Sequence, residues 1–218
     1  MPRHAGHAQA LAGNRGNVDF PHLTYEGPPI DDPETLSRIP PELASELRAH
    51  NGLIAWQGGF HLRGACHAPE WHSLRAAWDG PTALHRLFPA VVPMDIPFAE
   101  EACGDQFLLR DDRVLRLAAE TGDVAEASPD LGTFLGAVRD EGIQRLGLAP
   151  LLAFQSEGHR LLPGQLLSVY PPFCTKEAAR GVSLRAVPAH QRLSFLAELA
   201  RQLRDVPDGG HVEFKTTP

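Results

Sequence analysis

The sequence predicts an α+β fold. Three observations carry that prediction. Two β-rich runs, 106–110 and 113–117, meet at Asp111-Asp112, which is the length of a two-residue hairpin turn. Over 189–206 the apolar residues Leu193, Leu196, Leu199, Leu203 and Val206 recur every three to four positions, the period of a helix with one buried face. Finally, 20 glycines and 20 prolines punctuate 218 residues, so the elements are short and the turns many.

Taken in order, residues 1–18 show no hydrophobic period and read as a flexible tail. A proline-rich lead-in covers 20–33. Ile39-Pro40-Pro41 opens a helix, since proline is tolerated in a first turn, and Asn51-Gly52 ends it. Gly58-Gly59 turns the chain into an extended piece, 60–64. Helices follow over 69–78, with Trp71, Leu74 and Trp78 on one stripe, and over 82–88. After the hairpin come a turn at Thr121-Gly122-Asp123 and a helix over 131–138. Residues 142–150 read as a junction, 151–156 and 165–170 as strands, and 211–215 as a last strand. The predicted organisation is a tail (1–18), an α+β domain (19–140), and a strand–helix–strand extension (141–218) packed on the same core.

Composition narrows the function classes. At 43% hydrophobic and 22% charged, the chain has the balance of a folded domain. No run of about 18 apolar residues predicts a membrane span, and no leader is evident, so the expected location is cytoplasmic. Cys66, Cys103 and Cys174 are odd in number and far apart, which predicts free thiols. The net charge is −7, with nine acidic residues against three arginines over 95–126 and seven basic residues against two glutamates over 159–204. Nucleic acid is disfavoured as a partner, because phosphate contacts call for a basic face.

The sequence has no phosphate loop, dinucleotide fingerprint, paired-histidine metal motif, C-x-x-C or nucleophile elbow. His61, Cys66, His67 and His72 form the nearest approach to an enzymatic constellation, with His67 able to raise thiolate character at Cys66. Their spacing fits no zinc module, so no metal and no cofactor are predicted. Glu100, Glu101 and Asp105 read as a solvated acidic face rather than an acid–base pair. The three tryptophans read chiefly as core.

The stretch IPFAEEACGDQFLLRDDRVLRLAAETGD, residues 96–123, resembles the central signature of the SUKH superfamily. That domain occurs in yeast cell-wall-synthesis regulators of the Smi/Knr type and in bacterial immunity proteins against polymorphic toxins. The likeness rests on the Pro-Phe-Ala lead, Gly104-Asp105, the apolar strand behind them and the hairpin ending near Glu120-Thr121. Upstream, IPPELASELRAHNGL is similar to the family's opening helix ending at Asn51-Gly52; downstream, LGTFLGAVRD is similar to its closing helix. The likeness spans 39–140, and the C-terminal extension departs from it. It implies a mixed or antiparallel sheet flanked by helices and a binding module without catalytic residues, with Asn51, Gly52, Gly104 and Asp105 in structural roles: glycine for a turn that no side chain fits, aspartate bonding that turn's backbone.

The expected function is therefore that of an immunity or adaptor protein that neutralises or regulates a protein partner, such as a basic toxin domain. Glu100, Glu101, Asp105, Asp111, Asp112 and Trp56 are the expected partner-binding residues, the carboxylates steering a basic surface. The alternatives are a regulatory scaffold that binds through the extension, and an enzyme using Cys66.

Overall fold

The structure is a computed structural model that describes residues 20–207, 209 and 210. The predicted tail over 1–18 and the last strand over 211–215 lie outside the described residues. Seven strands pair in chain order, every neighbour antiparallel: β1 (Tyr25–Glu26), β2 (Leu53–Ala55), β3 (Phe60–Leu62), β4 (Ile96–Glu101), β5 (Gln106–Arg110), β6 (Arg113–Ala118) and β7 (Asp123–Ser128). Helices fill the connections: α1 (Pro33–Arg38) and α2 (Pro41–Ala49) before β2, then α3 (Leu74–Asp79) and α4 (Leu84–Leu87) before β4. After β7 come α5 (Leu131–Arg145), α6 (Ala149–Ser156), a separate hairpin of β8 (Gln165–Tyr170) and β9 (Ser183–Pro188), and α7 (Ala189–Leu203).

Strand alternation sends successive side chains to opposite faces, and each face finds a cover. Leu53, Ala55, Phe60, Leu62, Phe107, Leu109 and Val114 pack with Leu43 and Leu47 of α2 and Leu131, Phe134, Leu135 and Val138 of α5. Phe134 lies at the middle of this core, 4.6 Å from the Phe107 ring and 5.8 Å from Phe98. On the other face, Leu108, Leu115 and Leu117 meet Leu196 and Ala200 of α7 and Leu84 and Phe88 near α4. A register shift between Ile96 and Ala99 lets Phe98 and Ala99 both join the first core, which a regular strand forbids.

The hairpin forms at Asp111-Asp112, with Arg110 opposite Arg113 and Asp111 at φ +53°, a conformation aspartate tolerates. The seven-stranded sheet takes the antiparallel form of the expected fold. Three expectations are corrected. Residues 151–156 are helical: Pro150 pre-sets the first turn of α6, and Leu151 and Phe154 bury one helical stripe where a short apolar run reads equally as strand. The 69–78 helix is divided, a 3-10 turn over Glu70–His72 preceding α3. A domain limit at residue 140 falls inside α5, and Leu146 and Leu148 beyond it belong to the first core.

Candidate functional site

One cross-strand row runs across the sheet: Tyr25 opposite Ile54, Ile54 opposite His61, His61 opposite Glu100, and Glu100 opposite Gln106. Directly opposed side chains sit within reach of one another, and Arg63, two residues past His61, projects from the same face. The result is a buried polar chain on an otherwise apolar scaffold. Glu100 accepts from Arg63 Nη2 at 2.8 Å and Gln106 Nε2 at 3.1 Å, and its other oxygen lies 2.8 Å from His61 Nδ1. Arg63 also donates to the Pro97 carbonyl and to Gln106 Oε1. His61 Nε2 lies 2.8 Å from His72 Nδ1, and His72 Nε2 reaches the Asn51 carbonyl at 2.9 Å.

His72 sits in a cage that only glycine permits. A Cβ on Gly27, Gly52 or Gly64 would stand 2.5–2.7 Å from His72 ring atoms, far inside van der Waals contact. Asn51 closes the cage: its side chain accepts from Ala65 N at 2.7 Å and donates to the Pro28 carbonyl at 2.8 Å. Asn51-Gly52 therefore ends α2 and also houses an imidazole from a 3-10 turn.

Burial works against every charge in the row. It raises Glu100, but Arg63 and His61 more than offset it and hold the carboxyl down at about 2. Burial depresses His61, opposed by Glu100; burial and then His61 depress His72 to about 4. Leu161–Leu166 of the C-terminal part close over this end of the row, leaving a void of only about 10 Å³.

At the β4–β5 turn the next carboxylate does different work. Glu101 accepts from the backbone N–H groups of Cys103 and Asp105, both at 3.0 Å, while burial and then Asp105 raise it to about 7. Asp105 reaches past its own turn to Ala119 N at 2.9 Å and Arg116 Nε at 2.7 Å. So Glu101 bonds the turn backbone, the role expected of Asp105. Gly104 adopts φ +111°, and a Cβ there would meet Leu196 of α7 at 2.7 Å. Arg192 of α7 lies fully buried below the turn, donates from Nε to the Cys103 carbonyl and stands 3.6 Å from Glu120.

The structure divides the predicted partner-binding residues. Glu100 and Glu101 are each 3% exposed, so neither forms a solvated acidic face. Asp105 is largely enclosed and paired with Arg116. Asp111 and Asp112 are exposed but lie at the opposite end of β5, roughly 20 Å from Asp105 at about 3.3 Å per residue. Trp56 is half-buried against the core, and its indole N–H donates to the Val138 carbonyl at 2.9 Å, which makes it an internal strut. Cys66 is buried, and burial, then Asp31 and Asp32, raise its thiol to about 11, the reverse of an activated nucleophile. Arg63, Gln106 and Arg192 were not anticipated. The signal for Arg192 lies in its register with Leu196 and Leu199 on the buried face of α7.

A cavity of about 380 Å³ borders Glu101, Asp105, Arg116 and Arg192 at the β4–β5 turn, and a larger space lies elsewhere. A cleft of about 750 Å³ separates α7 from the segment after β8, with Phe88, Asp123, Tyr170, Lys176, Ala197 and Arg204 among its lining. Tyr170 is 61% exposed at its rim, beside Pro171-Pro172. Among the described residues, no helix is long and apolar enough to cross a membrane, and no group of three or more His, Cys, Asp or Glu is placed to hold a metal ion.

No family model matches the chain, and no curated protein matches it. Among solved structures it is similar to the crystal structure of Atu4351 from Agrobacterium tumefaciens, at 18% identity and a TM-score of 0.46, covering 82% of this chain and 84% of that one.

Proposed function

We propose that this protein acts by binding another protein, as an immunity or adaptor module, and that its C-terminal elements make the contacts. The observation that carries this reading is that the buried Glu100–His61–His72 row is closed, while the larger cleft lies among the C-terminal elements. The buried row is internally bonded and closed over, whereas the large cleft is lined by helix, turn and exposed aromatic surface. Tyr170 beside two prolines offers a large contact area on a turn with little conformational freedom to lose. The resemblance of residues 39–140 to the SUKH superfamily supports the immunity form of the reading.

Charge in the cleft balances: Lys176 and Arg204 stand against Asp123 and Glu177, and Arg201 is engaged by Glu198 on its own helix. The matching partner inserts a loop carrying an apolar side chain. Steering of a basic toxin surface is left to Asp111 and Asp112, since Glu100 and Glu101 are buried.

The test is capture from the protein's own cells with three tagged forms: the natural chain, Ala197→Arg, which fills the cleft from α7, and the Asp111→Lys/Asp112→Lys pair. One stoichiometric protein retained by the natural chain and the hairpin variant but lost by Ala197→Arg supports the cleft reading. Loss with the hairpin variant alone moves the interface to the β5–β6 turn. A partner indifferent to both, or none, overturns the proposal, provided thermal melts show all three forms folded.

A further inference from the structure

Three contacts link Glu100, His61, His72 and the Asn51 carbonyl, at 2.8, 2.8 and 2.9 Å. Each has hydrogen-bond length, and each needs one hydrogen between its heavy atoms. The last acceptor is a carbonyl, so that hydrogen belongs to His72 Nε2. A neutral His72 then presents a lone pair at Nδ1, and the second hydrogen belongs to His61 Nε2. The first contact needs a third. An ionised carboxylate with two neutral imidazoles holds only two.

We infer that the Glu100–His61–His72 chain is a buried proton-binding site, with His61 held as an imidazolium against the Glu100 carboxylate. With one proton fewer, two lone pairs face each other at 2.8 Å, too close for a water to stand between them, and an unmade bond in such a place costs more than a made one contributes. The groups facing the chain are few. Burial and Arg63 beyond β3 oppose the charge and by themselves depress His61; Glu100 from β4 attracts it, and the need for a third hydrogen in the chain decides for the imidazolium. Gln106 from β5 is neutral and spends its amide on Glu100 and the Gly104 carbonyl. Tyr25 from β1 turns a ring edge to His72, and Trp71 packs 5.3 Å from His61. Glu101 and Gln165 border the small void beside His61.

The consequence has a definite sign. A histidine that gains a proton on folding contributes stability that is complete below its unfolded pKa, about 6.5, and is lost as pH rises through its folded pKa. A histidine buried neutral does the opposite. Glu100→Gln separates the two, because its amide can donate to His61 Nδ1 while its carbonyl keeps Arg63 and Gln106, completing the chain with no extra proton.

Two measurements test this on the full chain. Side-chain nitrogen NMR of the natural protein at pH 7, with histidines assigned through bonds, is expected to show both His61 nitrogens protonated; a single protonated nitrogen overturns the inference. Urea unfolding from pH 6.5 upwards is expected to show the folding constant of the natural chain falling relative to Glu100→Gln by about tenfold per pH unit until His61 titrates. Parallel curves overturn it. If the variant does not fold, the NMR result decides.

Discussion

Replacing Gly64 with alanine puts one methyl group where the fold has no room for it. Gly64 has an ordinary negative φ, so alanine meets no backbone penalty there and the cost is steric. The new Cβ would lie 2.7 Å from His72 Nε2 and closer still to the Asn51 carbonyl oxygen, which is backbone and not free to rotate away. Relief requires the 51–52 turn and the 64–65 segment to part. That movement breaks the His72–Asn51 bond and strains the Asn51–Ala65 pair. Overpacking costs about 1–3 kcal/mol and a buried acceptor left unmet about 1–3 kcal/mol more, so the expected loss is about 4 kcal/mol. For a domain of this size that is a fall in Tm of roughly 8–16 °C. The control is Gly136→Ala in α5, where a Cβ meets nothing within 4 Å and helix propensity predicts a gain of about 0.5–1 kcal/mol. Urea and thermal unfolding read both. If Gly64→Ala stays within about 1 kcal/mol of the natural chain while Gly136→Ala behaves as stated, the glycine cage is not a constraint.

Two further outcomes follow from buried or paired groups. Asp32 is 1% exposed, caps α1 through Thr35 and accepts from Arg75 through both carboxylate oxygens at 2.6 Å; those bonds hold its pKa well below the usual carboxylate range. Its contribution is present above about pH 4 and is lost as pH falls through the folded value. Asp32→Ala should cost about 2–4 kcal/mol at neutral pH, the cap plus a pair whose arginine is partly solvated, and flatten the acid side of the stability curve. Alkylation followed by mass spectrometry should modify exposed Cys174 first, and slowly, because partial burial and then Glu120 raise its thiol to about 11; half-buried Cys103, raised further by burial and then Glu101, should follow more slowly, and buried Cys66 should react only on unfolding. Equal rates at all three would contradict the burial described.

The proton site and the proposed interface respond to different perturbations. Ala197→Arg blocks the cleft without touching the row, and Glu100→Gln alters the row without entering the cleft. A partner lost only with the first leaves the proton inference standing, and a flat pH dependence leaves the binding reading standing.

Local patterns determined much of the architecture. The Asp111-Asp112 hairpin needed only two apolar runs and a two-residue gap, and α7 needed only a period of three to four. Both signals come from neighbours in the chain, so they are legible without a fold. The 151–156 segment was not, because a short apolar run has no period until its neighbours choose one. The carboxylates show the limit most clearly. Glu100 and Glu101 stand in a stretch whose charge count implies a solvated face, yet both are buried. A sequence states how many charges it carries; only the sheet register decides that His61 and Arg63 lie where they can offset Glu100. Likewise Asn51-Gly52 reads locally as a helix stop, while its second duty, making room for His72, arises from a residue twenty positions away. Turns and helices were set by local physics, and the buried polar row by which strands became neighbours, because charge pairing in an apolar interior is a property of space and not of sequence order.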